Sequence, residues 1–232
     1  MRAILGAMAR LRRIEIAMVA FIAAAALLPA GNAAAAPPTW AFRGGLIAIL
    51  EDNGLEGDPA PILPLPGAAL AIPLVWRLDA EPSIDLYSAV YGFSDLLGRP
   101  VPYALEYRST RVVSALVGLP LAITVPLPGG VRWRFLAGPA FDLRLCLVAE
   151  GLEGADLEDA SAETADTAAY FWGSGRWVSP QIGTGVEIPA SDKFWLGIEA
   201  RAWIPAYRLW TGEELPAAEG WRLALSLRAG QR

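Results

Sequence analysis

Residues 131–148 read Val-Arg-Trp-Arg-Phe-Leu-Ala-Gly-Pro-Ala-Phe-Asp-Leu-Arg-Leu-Cys-Leu-Val. Val131, Trp133, Phe135, Ala137, Pro139, Phe141, Leu143, Leu145 and Leu147 occupy alternate positions, with Arg132, Arg134, Asp142 and Arg144 among the residues between them. Side chains alternate across a strand, so this is one long strand with a greasy face and a face of small and charged residues. A soluble sheet packs its greasy face on a core. A membrane barrel turns that face to lipid and keeps the polar one inside.

The N-terminus decides between the two. Arg2, Arg10, Arg12 and Arg13 lead into an apolar run over 14–28, followed by Pro29, Gly31 and four alanines at 33–36. This is the layout of a secretory signal peptide. Proline is disfavoured directly after a cleaved bond, which places the cut after Ala35 and leaves 36–232 as a single domain. The apolar run is shorter than the ~20 residues that span a bilayer. Beyond the leader the chain keeps 15 basic and 23 acidic residues, a net charge of −8, which argues against a nucleic-acid partner. A single cysteine, Cys146, cannot form an internal disulfide.

Period-two alternation marks eight strands, at 39–50, 66–78, 83–93, 109–126, 131–148, 170–188, 193–205 and 219–229. Tight turns at 79–82, 126–130 and 190–193 alternate with longer connections at 51–65, 94–108, 149–169 and 206–218. No long amphipathic helix is expected. Short turns at one end, long loops at the other and an even strand count describe a closed antiparallel up-and-down eight-stranded transmembrane β-barrel, an all-β fold without a free edge. Aromatics fall at both ends of the strands. Trp40, Trp76, Trp133 and Phe194 lie near the short turns, and Tyr107, Trp172, Tyr207, Trp210 and Trp221 near the long loops. Belts of this kind sit at the two membrane–water boundaries.

On this architecture, over residues 38–229, the chain resembles the eight-stranded outer-membrane barrels of diderm bacteria, the class of the OmpA transmembrane domain, OmpX and OmpW. The resemblance implies outer-membrane lipid and the barrel-assembly machinery as partners. The chain departs from the class at its last strand, which ends Leu227-Arg228-Ala229-Gly230-Gln231-Arg232 where such barrels usually carry a terminal aromatic.

The residues expected to face the lumen include Arg43, Arg77, Asp85, Arg132, Arg134, Asp142, Arg144, Glu187, Glu199, Arg201, Arg222 and Arg228. Eight strands enclose a space that side chains just fill, so these charges are expected to pair. The arginine excess offers the alternative of a narrow channel for small hydrophobic or anionic solutes. Histidine is absent, which removes Ser-His-Asp and Cys-His catalysis and histidine metal sites. No cofactor fingerprint appears. Acids cluster at Glu51, Asp52, Glu56 and Asp58, and seven more lie between Glu150 and Asp166 with no base among them. These read as solvated loops, with an extracellular ligand as the sharper reading. The expected function is a non-enzymatic outer-membrane protein of membrane integrity or surface interaction. A soluble exported lipocalin-like carrier is a third reading, and it requires an apolar interior.

Overall fold

The computed structural model describes residues 37–52, 61–103, 109–149, 155–213 and 217–231; the signal peptide expected at 1–35 lies outside them. The elements are β1 (Thr39–Leu50), β2 (Ile62–Val75), β3 (Leu78–Ala80), β4 (Ser83–Ser94), β5 (Arg99–Tyr103), β6 (Thr110–Gly118), β7 (Leu121–Pro126), β8 (Arg132–Gly138), β9 (Ala140–Val148), helix α1 (Ala155–Trp172), β10 (Gln181–Pro189), β11 (Phe194–Trp203), helix α2 (Arg208–Thr211) and β12 (Trp221–Gln231).

These segments make eight staves, because β3–β4, β6–β7 and β8–β9 each run on along one stave, while the short β5, inside the connection expected at 94–108, pairs with β4 on the edge away from β6. Every neighbouring pair is antiparallel, and β1 pairs with both β2 and β12, so the sheet closes on itself. The fifth and sixth staves join through β8–β10, the Phe141–Val178 bridge and the bond from Asp142 N to Trp177 O. Closure matters because every backbone N–H and C=O in lipid must find its partner within the sheet.

Prolines make the interruptions. Pro82, Pro120 and Pro139 stand between the collinear segments, where a missing N–H breaks the ladder. Their carbonyls still accept from the next stave: Leu70 N to Pro82 O at 2.9 Å, Glu81 N to Pro120 O at 2.9 Å, and Leu119 N to Pro139 O at 2.9 Å. The break therefore passes from stave to stave as one line rather than opening a hole.

Two local expectations are corrected. The first reversal is at Trp76–Arg77, not 79–82; Trp76 takes φ +48, and Leu78–Ala80 is already strand. Asp79 and Pro82 are turn-forming residues, but Pro82 belongs to the proline line. The connection at 149–169 and the start of the sixth strand also differ. Residues Ala155–Trp172 form an 18-residue helix, and strand β10 begins only at Gln181. Alanine carries this helix by propensity, and Asp156 and Glu158 suit the positive end of its dipole. Its buried stripe is Ala160, Thr164, Thr167 and Phe171, one helical face made mostly of small residues.

The barrel is apolar outside and ionic inside. Phe42 and Leu227 are 66% and 67% exposed, whereas Glu199 and Arg228, one residue away or across, are 1% and 3% exposed. Ten residues of β11 at about 3.3 Å each, tilted by about 40°, give an apolar band roughly 25 Å tall, matching a bilayer's hydrocarbon band. This distribution overturns the lipocalin-like reading. Among the described residues no helix is long and apolar enough to cross a membrane; the strands do the crossing.

Adjacent glycines test the inside–outside assignment. A Cβ on outward Gly44 meets nothing within 4 Å, whereas one on inward Gly45 would lie 2.3 Å from Leu225 O. Gly44→Ala should leave the heat-dependent gel shift of the folded barrel unchanged. Gly45→Ala should lower its melting midpoint, by an overpacking cost of about 1–3 kcal/mol.

Candidate functional site

The lumen contains an ionic layer near the short turns and, above it, an apolar layer that encloses a second ionic group. In the layer nearer the short turns, five arginines share four carboxylates. Arg201 forks onto Asp85, with Nη1–Oδ2 at 2.8 Å and Nη2–Oδ1 at 2.9 Å, and its Nε lies 3.1 Å from Glu199. Arg43 reaches the same Asp85 at 2.9 Å. Arg228 spans Glu199 at 2.8 Å and Glu81 at 3.1 Å, and Arg134 also donates to Glu81. Arg132 pairs with Glu187 at 2.8 Å. Bidentate, charge-assisted bonds are the form in which buried ions recover their lost hydration. The rings of Trp195 and Trp203 lie under Arg228 and Arg201, at 5.2 Å and 4.8 Å.

Above this layer, Ile47, Leu65, Leu116, Ala140, Trp203 and Ala224 form an apolar plug that runs up to Tyr91 and Phe171. A second ionic group sits within it. Asp142 accepts from Arg144 Nε at 2.7 Å, from Ser114 Oγ and from Tyr87 OH at 3.4 Å, and pairs with Arg222 at 2.7 Å.

Helix α1 closes the mouth. Phe171 packs edge-on against Tyr91, ring centres 5.1 Å apart, and lies under the Arg144 guanidinium at 3.8 Å. The Thr164 and Thr110 hydroxyls bond at 2.8 Å, and Ser109 Oγ donates to Glu163. At the helix's end Arg176 covers the Tyr170 ring at 3.9 Å and pairs with Glu213, which ties the helix to the last long connection. Glu219 accepts from Asp52 N at 2.9 Å and pairs with Arg99 at 2.5 Å. The space left beneath the helix, among Glu51, Arg99, Arg144 and Arg222, is about 20 Å³, room for water and not for a solute.

Of the expected lumen residues, Arg77 is the exception: it is exposed in the first turn, over the Trp76 ring. Arg43, Asp85, Arg134, Asp142, Arg144, Glu187, Glu199, Arg201, Arg222 and Arg228 are buried, and Arg132 is half-buried. Glu81, Arg99 and Glu219 are also buried there and were not foreseen. Glu81 reads as a turn residue before Pro82, yet 81, 83, 85 and 87 share one strand face, and that parity is the signal for it. Cys146 is half-buried, beside Arg144. Trp40, Trp76, Trp133 and Phe194 are exposed at the short-turn end, and Trp172 at the other. Tyr207 is a correction: it is 8% exposed, turned over the mouth rather than outward. Trp210 and Trp221 are half-buried. Tyr107, Glu56, Asp58, Glu150 and Glu153 lie outside the described residues.

Two predictions follow from the electrostatics. Glu81→Ala takes one carboxylate from both Arg134 and Arg228, leaving them to Glu187 and Glu199, so it should cost about 3–5 kcal/mol in urea unfolding of the detergent-solubilised barrel. Arg77→Ala should stay within about 0.5 kcal/mol. Burial raises the Glu51 pKa, opposed by Arg144, Arg222 and Arg99. A carboxyl with a higher pKa folded than unfolded contributes stability that is complete below its unfolded value and is lost as pH rises through the folded one. The melting temperature should therefore fall as pH climbs through the window above the ordinary carboxylate value. Glu51→Gln should flatten that slope.

No protein-family model and no curated protein sequence matches the chain. Among solved structures, Neisserial surface protein A superposes with a TM-score of 0.51 at 11% identity, over 85% of this chain and 97% of its own. The N-terminal β-barrel domain of Pseudomonas aeruginosa OprF gives 0.41 at 11% identity, over 83% and 96%. Ail, the attachment invasion locus protein of Yersinia pestis, gives 0.38 at 7% identity, over 84% and 94%. With its eight closed staves, lipid-facing apolar wall and ionic lumen, this chain has the fold of the eight-stranded outer-membrane β-barrels.

Proposed function

We propose that this protein is an exported, non-enzymatic outer-membrane barrel of membrane integrity or surface interaction, with 1–35 as its export signal. In this reading outer-membrane lipid surrounds the wall and the barrel-assembly machinery inserts it. The observation that carries the reading is the filled lumen. Five arginines and four carboxylates cross-link the staves at one level, an apolar layer lies above them, and α1 covers the mouth. Such a barrel offers structure to the membrane and its outer end to the surroundings. What it presents there is acidic: Asp156, Glu158, Asp159 and Asp166 are exposed on α1.

The Asp142 and Glu199 carboxylates, the pair to weigh for acid–base chemistry, are engaged by guanidinium groups, and the sequence holds no histidine. Both points favour a structural role for the charges. The narrow-channel reading needs a continuous gap, and the ion pairs stand across it.

Planar-bilayer recording tests this. The purified protein should give no steady ohmic conductance in symmetric salt, and Glu81→Ala should not open one while the apolar layer is intact. Sustained unitary currents from the wild-type protein would favour the channel instead.

A further inference from the structure

We infer that the outer wall carries a specific seat for one hydrocarbon chain of a membrane lipid, in the groove beneath the connection between β11 and β12. The inference rests on the proposed placement in a bilayer. The groove is about 530 Å³ and is lined by Pro180, Ile204, Pro205, Ala206, Leu209 and Trp221.

Register places it on the outside. Ile182, Ala202 and Leu223 form a row across three staves, and Ile182 and Leu223 are exposed to lipid. Two residues further along each stave, toward the long loops, the next row is Pro180, Ile204 and Trp221, with Ile204 N bonded to Pro180 O at 2.8 Å. The inward positions between these rows, Gln181, Trp203 and Arg222, are buried in the lumen, on the opposite face of the sheet. The groove is a continuation of the lipid-facing wall, roofed at its upper edge by α2.

The lining also selects the occupant. The backbone N–H groups of Arg208, Leu209, Trp210 and Thr211 are already bonded to the carbonyls of Pro205, Ala206 and Tyr207, so the roof's backbone presents no unmet donor, and the unpartnered Thr211 hydroxyl is not among the groups that line the groove. Glu213 is held by Arg176. A polar solute would lose hydration there without replacement, whereas a methylene chain loses nothing. Leu209 is 79% exposed although it stands over an apolar groove, and a chain seated below it would cover it. Arg208 also lines the groove, its Nη1 donating to Glu219 O at 3.3 Å.

The test is photolabelling of the membrane-extracted protein in nanodiscs that contain a phosphatidylglycerol with a diazirine on one acyl chain. Labels should concentrate several-fold on 204–209 and Trp221 relative to Leu86 and Leu145 on the wall's outward rows elsewhere. Ala206→Phe should bring the groove down to the level of those rows while the heat-dependent gel shift persists. Should that variant fail to fold, Leu209→Trp gives the same comparison. Even labelling around the wall, or groove labelling unchanged by these substitutions, overturns the seat. Labelling by a free diazirine fatty acid but not by the phospholipid also overturns it. Absence of both label and gel shift would instead remove the bilayer placement beneath it.

Discussion

The Glu81 carboxylate, fully buried and shared by Arg134 and Arg228, states the constraint on which the rest of the barrel depends. An ion in this lumen has little water to turn to, so its partner must arrive from another stave. Arg43, Glu81, Asp85, Arg134, Glu187, Glu199, Arg201 and Arg228 come from staves far apart in sequence, and they meet only when every register is right. A slip of one residue would put these charges on the lipid face, at about 2–4 kcal/mol for each arginine near the midplane. Charge pairing and strand register are therefore one requirement.

Meeting that requirement takes space as well as charge. A Cβ on Gly67 would fall 2.0 Å from Asp85 Oδ1, and one on Gly183 would fall 2.7 Å from Arg201 Cγ. The glycines leave the volume into which the long side chains fold. The proline line acts at the same level, interrupting the ladder where Glu81 turns inward while its carbonyls keep neighbouring staves joined. Small residues and broken ladders, which weaken an ordinary strand, here make room for the ionic layer.

Much of this was legible because lipid enforces alternation. Strands β1, β11 and β12 lie within two residues of their expected ends, and the inward row of β8–β9 follows the parity of 132–146. Helix α1 was not legible by that rule. Its buried stripe is alanine and threonine with only Phe171 of any size, so it gives little apolar periodicity, and its aromatic end resembles the start of a strand. Glu81 was hidden by a local turn signal that tertiary pairing overrode. The inward rows of Ile47, Ile49, Val112 and Leu116 carry the apolar layer, and a reading of the lumen through its charged residues passes over them.

That layer divides the molecule mechanically. Near the short turns the interior is held by directional ion pairs, which tolerate little displacement before a charge is left alone. Near the long loops Phe171, Tyr91 and their apolar neighbours surround the smaller Asp142–Arg144–Arg222 group, and α1 is tied down by a few hydroxyl contacts and the Arg176–Glu213 pair. Packing of this kind loses energy gradually as contacts open. The outer end can therefore change, by sequence or by motion, without disturbing the network that fixes register. A barrel that meets lipid everywhere and its surroundings only at one end needs this separation, with a rigid base to insert and a replaceable cap to present.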